Sequence, residues 1–156
     1  MKLRTLLLAA LGAALLCTVS CKKDQKGFSG TSLDMGISVK WATMNAGASK
    51  QGEIGTEMTV QEALQYAADS KKYRLPTIDE WDDLFEHTTH SFTHTADGDG
   101  FLFISAAGTQ LYVPAAKYLC QIDGNVITYA DLTTSTAKPV TTESTGGTYA
   151  IRMVRK

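Results

Sequence analysis

The sequence predicts an α+β fold whose strands form an antiparallel sheet. Two threonine-led helix starts stand close together in the middle of the chain, "TVQE" at Thr59–Glu62 and "TIDE" at Thr77–Glu80. Short β-rich runs follow them: "FLFIS", "LYVPA", "KYLCQI", "VITYADL" and "TYAIRMV". Asp-Gly and Gly-Asn pairs separate several of these runs, as hairpins require. Helices followed by a series of linked strands belong to α+β rather than to an alternating α/β architecture.

The chain opens with a secretory signal over Met1–Ser20, where Lys2 and Arg4 precede an apolar run from Leu6 to Leu16. A bilayer core of about 30 Å needs about 20 apolar residues, so the run is too short for a transmembrane helix. Small Ser20 stands just before Cys21, and Lys22, Lys23 and Asp24 follow. This pattern resembles a bacterial lipobox, whose thiol takes a diacylglyceryl group and whose new N-terminus is acylated, commonly with palmitate. Thr18 holds the place where Leu is usual, and bulky Leu16 makes Cys17 a poorer candidate. The alternative is ordinary cleavage that leaves a free cysteine. Two or more acyl chains anchor firmly, at roughly 0.8 kcal/mol per buried methylene. Lys22, rather than Asp, after the lipidated position fits the outer membrane. A Lys followed by an acidic residue also resembles the surface-export signals of some lipoproteins. Residues 21–32, "CKKDQKGFSGTS", are polar with two glycines and read as a flexible tether, leaving 33–156 for one domain.

Within that domain, Leu33, Met35, Ile37, Val39 and Trp41 alternate with polar or small residues, as on one face of a strand or a broken strand pair bent at Gly36. "NAGASKQGEIG" is a loop by composition. Both helix starts fit a capping box, in which the threonine oxygen accepts an amide and the glutamate reaches back. Val60, Ala63, Leu64 and Ala67 form the apolar stripe of the first helix; Ile78, Trp81, Leu84 and Phe85 form that of the second. Trp41, Trp81, Phe85 and Tyr149 are expected in a single core. Thr133–Thr148 reads as an exposed loop rather than a glycosylated stalk, and as the first candidate for a ligand face.

Five segments in order, "DMGISVKWATMNAGAS", "TVQEALQYA", "YRLPTIDEWDDLF", "LYVPAA" and "AIRMVRK", resemble the major-paralogous domain family of bacterial lipoproteins. That family is similar in fold to C-type-lectin-like domains and to formylglycine-generating oxidases. The resemblance implies a C-type-lectin-like domain of two helices packed on short antiparallel strands, with the first and last strands paired. "VKWAT" and "AIRMV" would then be neighbours. The chain lacks the family's longer aromatic-rich loop and its Trp-Ser-Ser strand, so it is a trimmed version.

Several chemistries are weighed against simpler explanations. The oxidases need a redox-active cysteine pair, whereas Cys120 is alone once Cys17 and Cys21 are assigned, and its apolar run suits a small buried hydrophobe. "DGNV" at Asp123–Val126 is explained by a hairpin turn. Asp79, Glu80, Asp82 and Asp83 suit the positive end of a helix better than a catalytic pair. Asp97 and Asp99 in "DGDG" lack the further ligands of a calcium loop, and a Glu-Pro-Asn sugar site is absent, so a turn is preferred. His87, His90 and His94 could converge on zinc only if the chain turned back; as an alternative, His87 and His90 end the second helix. The expectation is no metal and no cofactor. With 15 basic and 16 acidic residues and no basic stripe, nucleic acid is excluded as a partner. The combined expectation is a monomeric, non-catalytic binding or adhesion lipoprotein, held to the membrane by its N-terminal lipid and contacting a glycan or a protein. The alternatives are a structural subunit of a cell-surface assembly and, third, a relative of the formylglycine-generating enzymes.

Overall fold

The computed structural model describes residues 27–122, 124, 126–136, the backbone of 138–142, and 146–156. Cys17, Cys21, Asp123 and Asn125 lie outside the described residues, and with them the signal, the lipobox and half of the "DGNV" turn. The class is α+β, with two helices and three antiparallel sheets among the described residues.

The first sheet joins the beginning of the domain to its end. Strand β1 (Ser32–Asp34) and strand β2 (Lys40–Ala42) form a hairpin, so "LDMGISVKW" is a broken strand pair. Gly36 turns the chain with φ +72°, a left-handed value that a side chain disfavours, and its amide donates to Asp34 Oδ1 at 3.0 Å. The last strand, β10 (Val154–Arg155), lies between β2 and β3 (Tyr73–Arg74), giving the order β1-β2-β10-β3. Val154 stands opposite both Trp41 and Arg74, and the Ala42 amide donates to the Met153 carbonyl at 2.9 Å. "VKWAT" and "AIRMV" are therefore neighbours. The partner of the last strand is the second strand, β1 being one position further out.

Helix α1 spans Val60–Asp69 and helix α2 spans Ile78–His87. Both begin with the complete capping box, Thr59 with Glu62 and Thr77 with Glu80. The stripe expected for α1 needs correction. Ala63 and Tyr66 are its buried residues, while Leu64 is 44% exposed.

Strands β3, β4 (Thr89–Thr95) and β9 (Lys138–Thr142) lie outside the strands expected from the sequence. "HTTHSFTH" does not end α2 beyond His87: Thr88 caps the helix in an extended conformation, and Thr89–Thr95 forms β4, which contains His90 and His94. Threonine and phenylalanine favour the pleated surface, and the Thr88 hydroxyl captures the Leu84 carbonyl at 2.6 Å. Strand β4 pairs along its whole length with β5 (Gly98–Ile104), which pairs in turn with β6 (Gln110–Pro114). The third sheet contains β7 (Lys117–Leu119), β8 (Ile127–Asp131) and β9 (Lys138–Thr142). Strand β9 lies inside the segment expected to be a loop. Among the described residues it pairs with β8 alone, and an edge position accommodates Pro139.

The buried residues form two clusters. One gathers Met35, Trp41, Trp81, Leu84, Phe101, Phe103, Leu111, Val113 and Tyr118, with Phe85 packed against it. The other gathers Phe28, Met58, Tyr66, Tyr73, Leu119, Ile151 and Met153. Tyr149 belongs to the second, so the single core expected for Trp41, Trp81, Phe85 and Tyr149 is divided. Phe28 is buried although composition places it in the tether.

Candidate functional site

The residues singled out for chemistry are occupied structurally. Cys120 is fully buried, and desolvation pushes its thiol up to about 12, far from a reactive thiolate. Glu80 accepts from Arg74 Nη2 at 2.5 Å, from Arg74 Nη1 at 2.9 Å and from the Thr77 amide at 2.8 Å. Desolvation, the largest single influence on Glu80, opposes its charge. The bonds from Arg74 and Thr77 together outweigh it and hold the carboxyl below its ordinary range. Asp83 accepts from both the hydroxyl and the amide of Ser38, which lower its pKa and fasten the β1–β2 hairpin to α2. Asp82 is raised, chiefly by desolvation and then by Glu86 and Asp79.

The histidines are likewise apart in their contacts. His87 Nδ1 lies 2.8 Å from Asp83, His94 Nδ1 lies 2.7 Å from Asp99, and the His90 ring packs edge-on to Phe85 at 5.0 Å. Asp97 pairs with Lys50. Among the described residues, no three His, Cys, Asp or Glu side chains are grouped to hold a metal ion.

A different surface emerges from the second sheet. Alternation places Phe101, Phe103, Leu111 and Val113 on its core side. The opposite side carries Thr89, Ser91, Thr93 and Thr95 from β4, across from Ile104, Leu102, Gly100 and Gly98 of β5. Gln110 and Tyr112 of β6 continue two of these rows. The Ser91 and Thr93 hydroxyls lie 3.4 Å apart, and the Thr95 hydroxyl donates to the Gly98 carbonyl at 2.7 Å. The result is a hydroxyl-bordered face that carries the Tyr112 ring.

That ring is held in a defined position. Tyr112 extends its phenol over β5, where the hydroxyl donates to the Gly98 carbonyl at 3.0 Å. A Cβ on Gly100 would lie 2.6 Å from the phenolic oxygen and 2.5 Å from the Val113 carbonyl, so glycine leaves the space the phenol occupies. From the core side, Arg152 Nη2 donates to the Tyr112 carbonyl at 2.6 Å and Nη1 to the Ala42 carbonyl at 3.2 Å. Arg152 is fully buried and its contacts are carbonyls rather than a carboxylate; desolvation brings it down to about 10. It ties β2 to β6 beneath the ring.

Neither the face nor the ring's position follows from the sequence, in which His87 and His90 suit a helix end where the chain in fact enters β4. The useful signal was the alternation of Thr89, Ser91, Thr93 and Thr95 with His90, Phe92 and His94. The Thr133–Thr148 segment contributes β9 and includes 143–145, outside the described residues.

A groove of about 910 Å³ lies elsewhere, lined by 27–32 together with Asp69, Lys71, Lys72, Tyr73 and Arg155. Phe28 packs edge-on to Tyr73 with centroids 4.8 Å apart, and the Tyr73 hydroxyl donates to the Gly30 carbonyl at 2.7 Å. No family model, curated protein or solved structure matches the chain.

Proposed function

We propose that this protein is an outer-membrane lipoprotein, acylated on Cys21, whose C-type-lectin-like domain binds a glycan without catalysis. The observation that carries the ligand class is the Tyr112 ring laid over Gly100 on a sheet face bordered by threonine and serine hydroxyls. A rigid amphipathic ring offers contact area at little conformational cost, and neighbouring hydroxyls both donate and accept toward a polyhydroxylated ligand. The "AIRMVRK" and "RLPTIDEWDDLF" segments that resemble major-paralogous domains support the fold assignment. Burial of Cys120 weighs against the thiolate chemistry of the oxidases.

The test is a glycan array probed with the chain from residue 21 onward carrying Cys21→Ser, followed by titration of Tyr112→Ala. Tyrosine anchors at contact centres contribute about 2 kcal/mol or more, so a loss of roughly thirtyfold is expected. Binding to proteins alone would favour the structural-subunit alternative, and glycan binding unchanged in Tyr112→Ala would remove this face from the site. Acylation is tested separately: Cys21→Ala should abolish fatty-acid labelling and release the protein from membranes.

A further inference from the structure

We infer that the groove end of the domain is a membrane-docking face, on which Lys71, Lys72, Arg155 and Lys156 meet phosphate-bearing lipid headgroups. The inference rests on acylation of Cys21, which fixes the distance to the bilayer.

The cationic patch is a product of strand pairing. Lys71–Lys72 and Arg155–Lys156 are remote in the chain, and each pair alone is unremarkable. Antiparallel pairing of β10 with β3 sets Arg155 opposite Tyr73, and the Lys156 amide donates to the Lys72 carbonyl at 2.9 Å. All four cationic residues are exposed. Elsewhere Lys40, Lys50 and Arg74 each have a carboxylate partner, in Asp34, Asp97 and Glu80. Among the described residues, Lys71, Lys72, Arg155 and Lys156 have no carboxylate side-chain partner. The acid beside them, Asp69, accepts from Gln65 Nε2 at 3.0 Å. Lys71, Lys72 and Arg155 therefore line the groove with one acidic side chain, Asp69, and Lys156 stands beside them.

The same end is where the tether leaves. Gly27 lines the groove, and Cys21 precedes it by six residues, which span roughly 20 Å when fully extended. Those residues include Lys22, Lys23 and Lys26 with a single acid, Asp24. A domain held so closely meets the headgroup layer at an effective concentration on the order of millimolar, so even weak attraction keeps it docked. Anionic lipid attracts each nearby Lys or Arg by about 1 kcal/mol, equivalent to about fivefold in partitioning.

The experiment uses the chain from residue 21 onward carrying Cys21→Ser, which cannot be acylated at that position. It is sedimented with vesicles of phosphatidylethanolamine and phosphatidylglycerol, and with vesicles of phosphatidylcholine. Binding is expected to the anionic vesicles only, to weaken with salt, and to fall by roughly a hundredfold in Lys71→Gln/Lys72→Gln/Arg155→Gln. Lys117→Gln, a charge change on the third sheet, should leave it unaltered. Equal binding to both vesicles, or no loss in a triple variant that melts like the parent, would overturn the docking face. Displacement by millimolar inorganic phosphate at constant ionic strength would also overturn it, assigning the groove to a small anion. Fatty-acid labelling of the wild-type chain reports on acylation independently, so failure of one claim is distinguishable from failure of the other.

Discussion

Helices α1 and α2 begin with the same device and are held with different firmness. Each is ten residues long and opens with a threonine and a glutamate in a reciprocal cap. In α1, the Glu62 side chain bonds to Thr59 alone among the described residues, and the helix buries Ala63 and Tyr66 while Leu64 faces outward. In α2, Glu80 caps the helix and also binds both arms of Arg74 from the neighbouring strand. Trp81 and Leu84 go fully into the first cluster, with the Trp81 ring 4.5 Å from Trp41 and 5.3 Å from Tyr118. A local signal decides where a helix starts. Side-chain volume and a second partner decide how tightly it is bound.

The contrast is tested most severely at Trp81. Trp81→Ala removes the ring that links α2 to β2 and β7, and should cost about 3–5 kcal/mol in a urea unfolding titration. A variant that unfolds at the parental midpoint would show that α2 is no better anchored than α1.

Glu80 sharpens the comparison through pH. Its folded pKa is lowered, so its contribution is present above the ordinary carboxylate value near about 4.3 and is lost as pH falls through the folded value. The parent should therefore lose stability below about pH 4, and Glu80→Gln should lack that part of the decline. At neutral pH the same substitution removes charge-assisted bonds, costing about 2 kcal/mol. Parallel pH profiles for parent and variant would mean that Arg74 contributes nothing through this pair.

The smallest effect belongs to α1. Thr59→Ala deletes an exposed cap and should cost about 1 kcal/mol, with the change in hydrogen exchange confined to the first turn of the helix. A loss as large as that from Trp81→Ala would erase the distinction between the two helices.

The pattern of success follows the range of each interaction. Both caps, the bend at Gly36 and the burial of Cys120 are local or compositional, and all were legible. The neighbourhood of "VKWAT" and "AIRMV" came from resemblance, since periodicity cannot say which strands pair. Leu64 misled because helical spacing identifies a stripe but not what lies opposite it. Strand β4 was missed because His87 looks like the start of a helix exit, and Thr88 turns the chain into a strand only once β5 is available to pair. The candidate face suffered most from this. Tyr112 is one tyrosine among six, and only the glycines across the sheet single it out.

The placement of β10 bears on how the molecule is made. Ala150 and Val154 enter one cluster while Tyr149, Ile151 and Met153 enter the other, and this segment follows every other element in the chain. Neither cluster can close during synthesis until these residues have emerged, because the slot between β2 and β3 stays empty. Contacts that join distant parts of a chain form slowly and reward the folding chain only when complete. A chain that has not yet supplied this segment therefore has neither cluster complete, however well its two helices are capped.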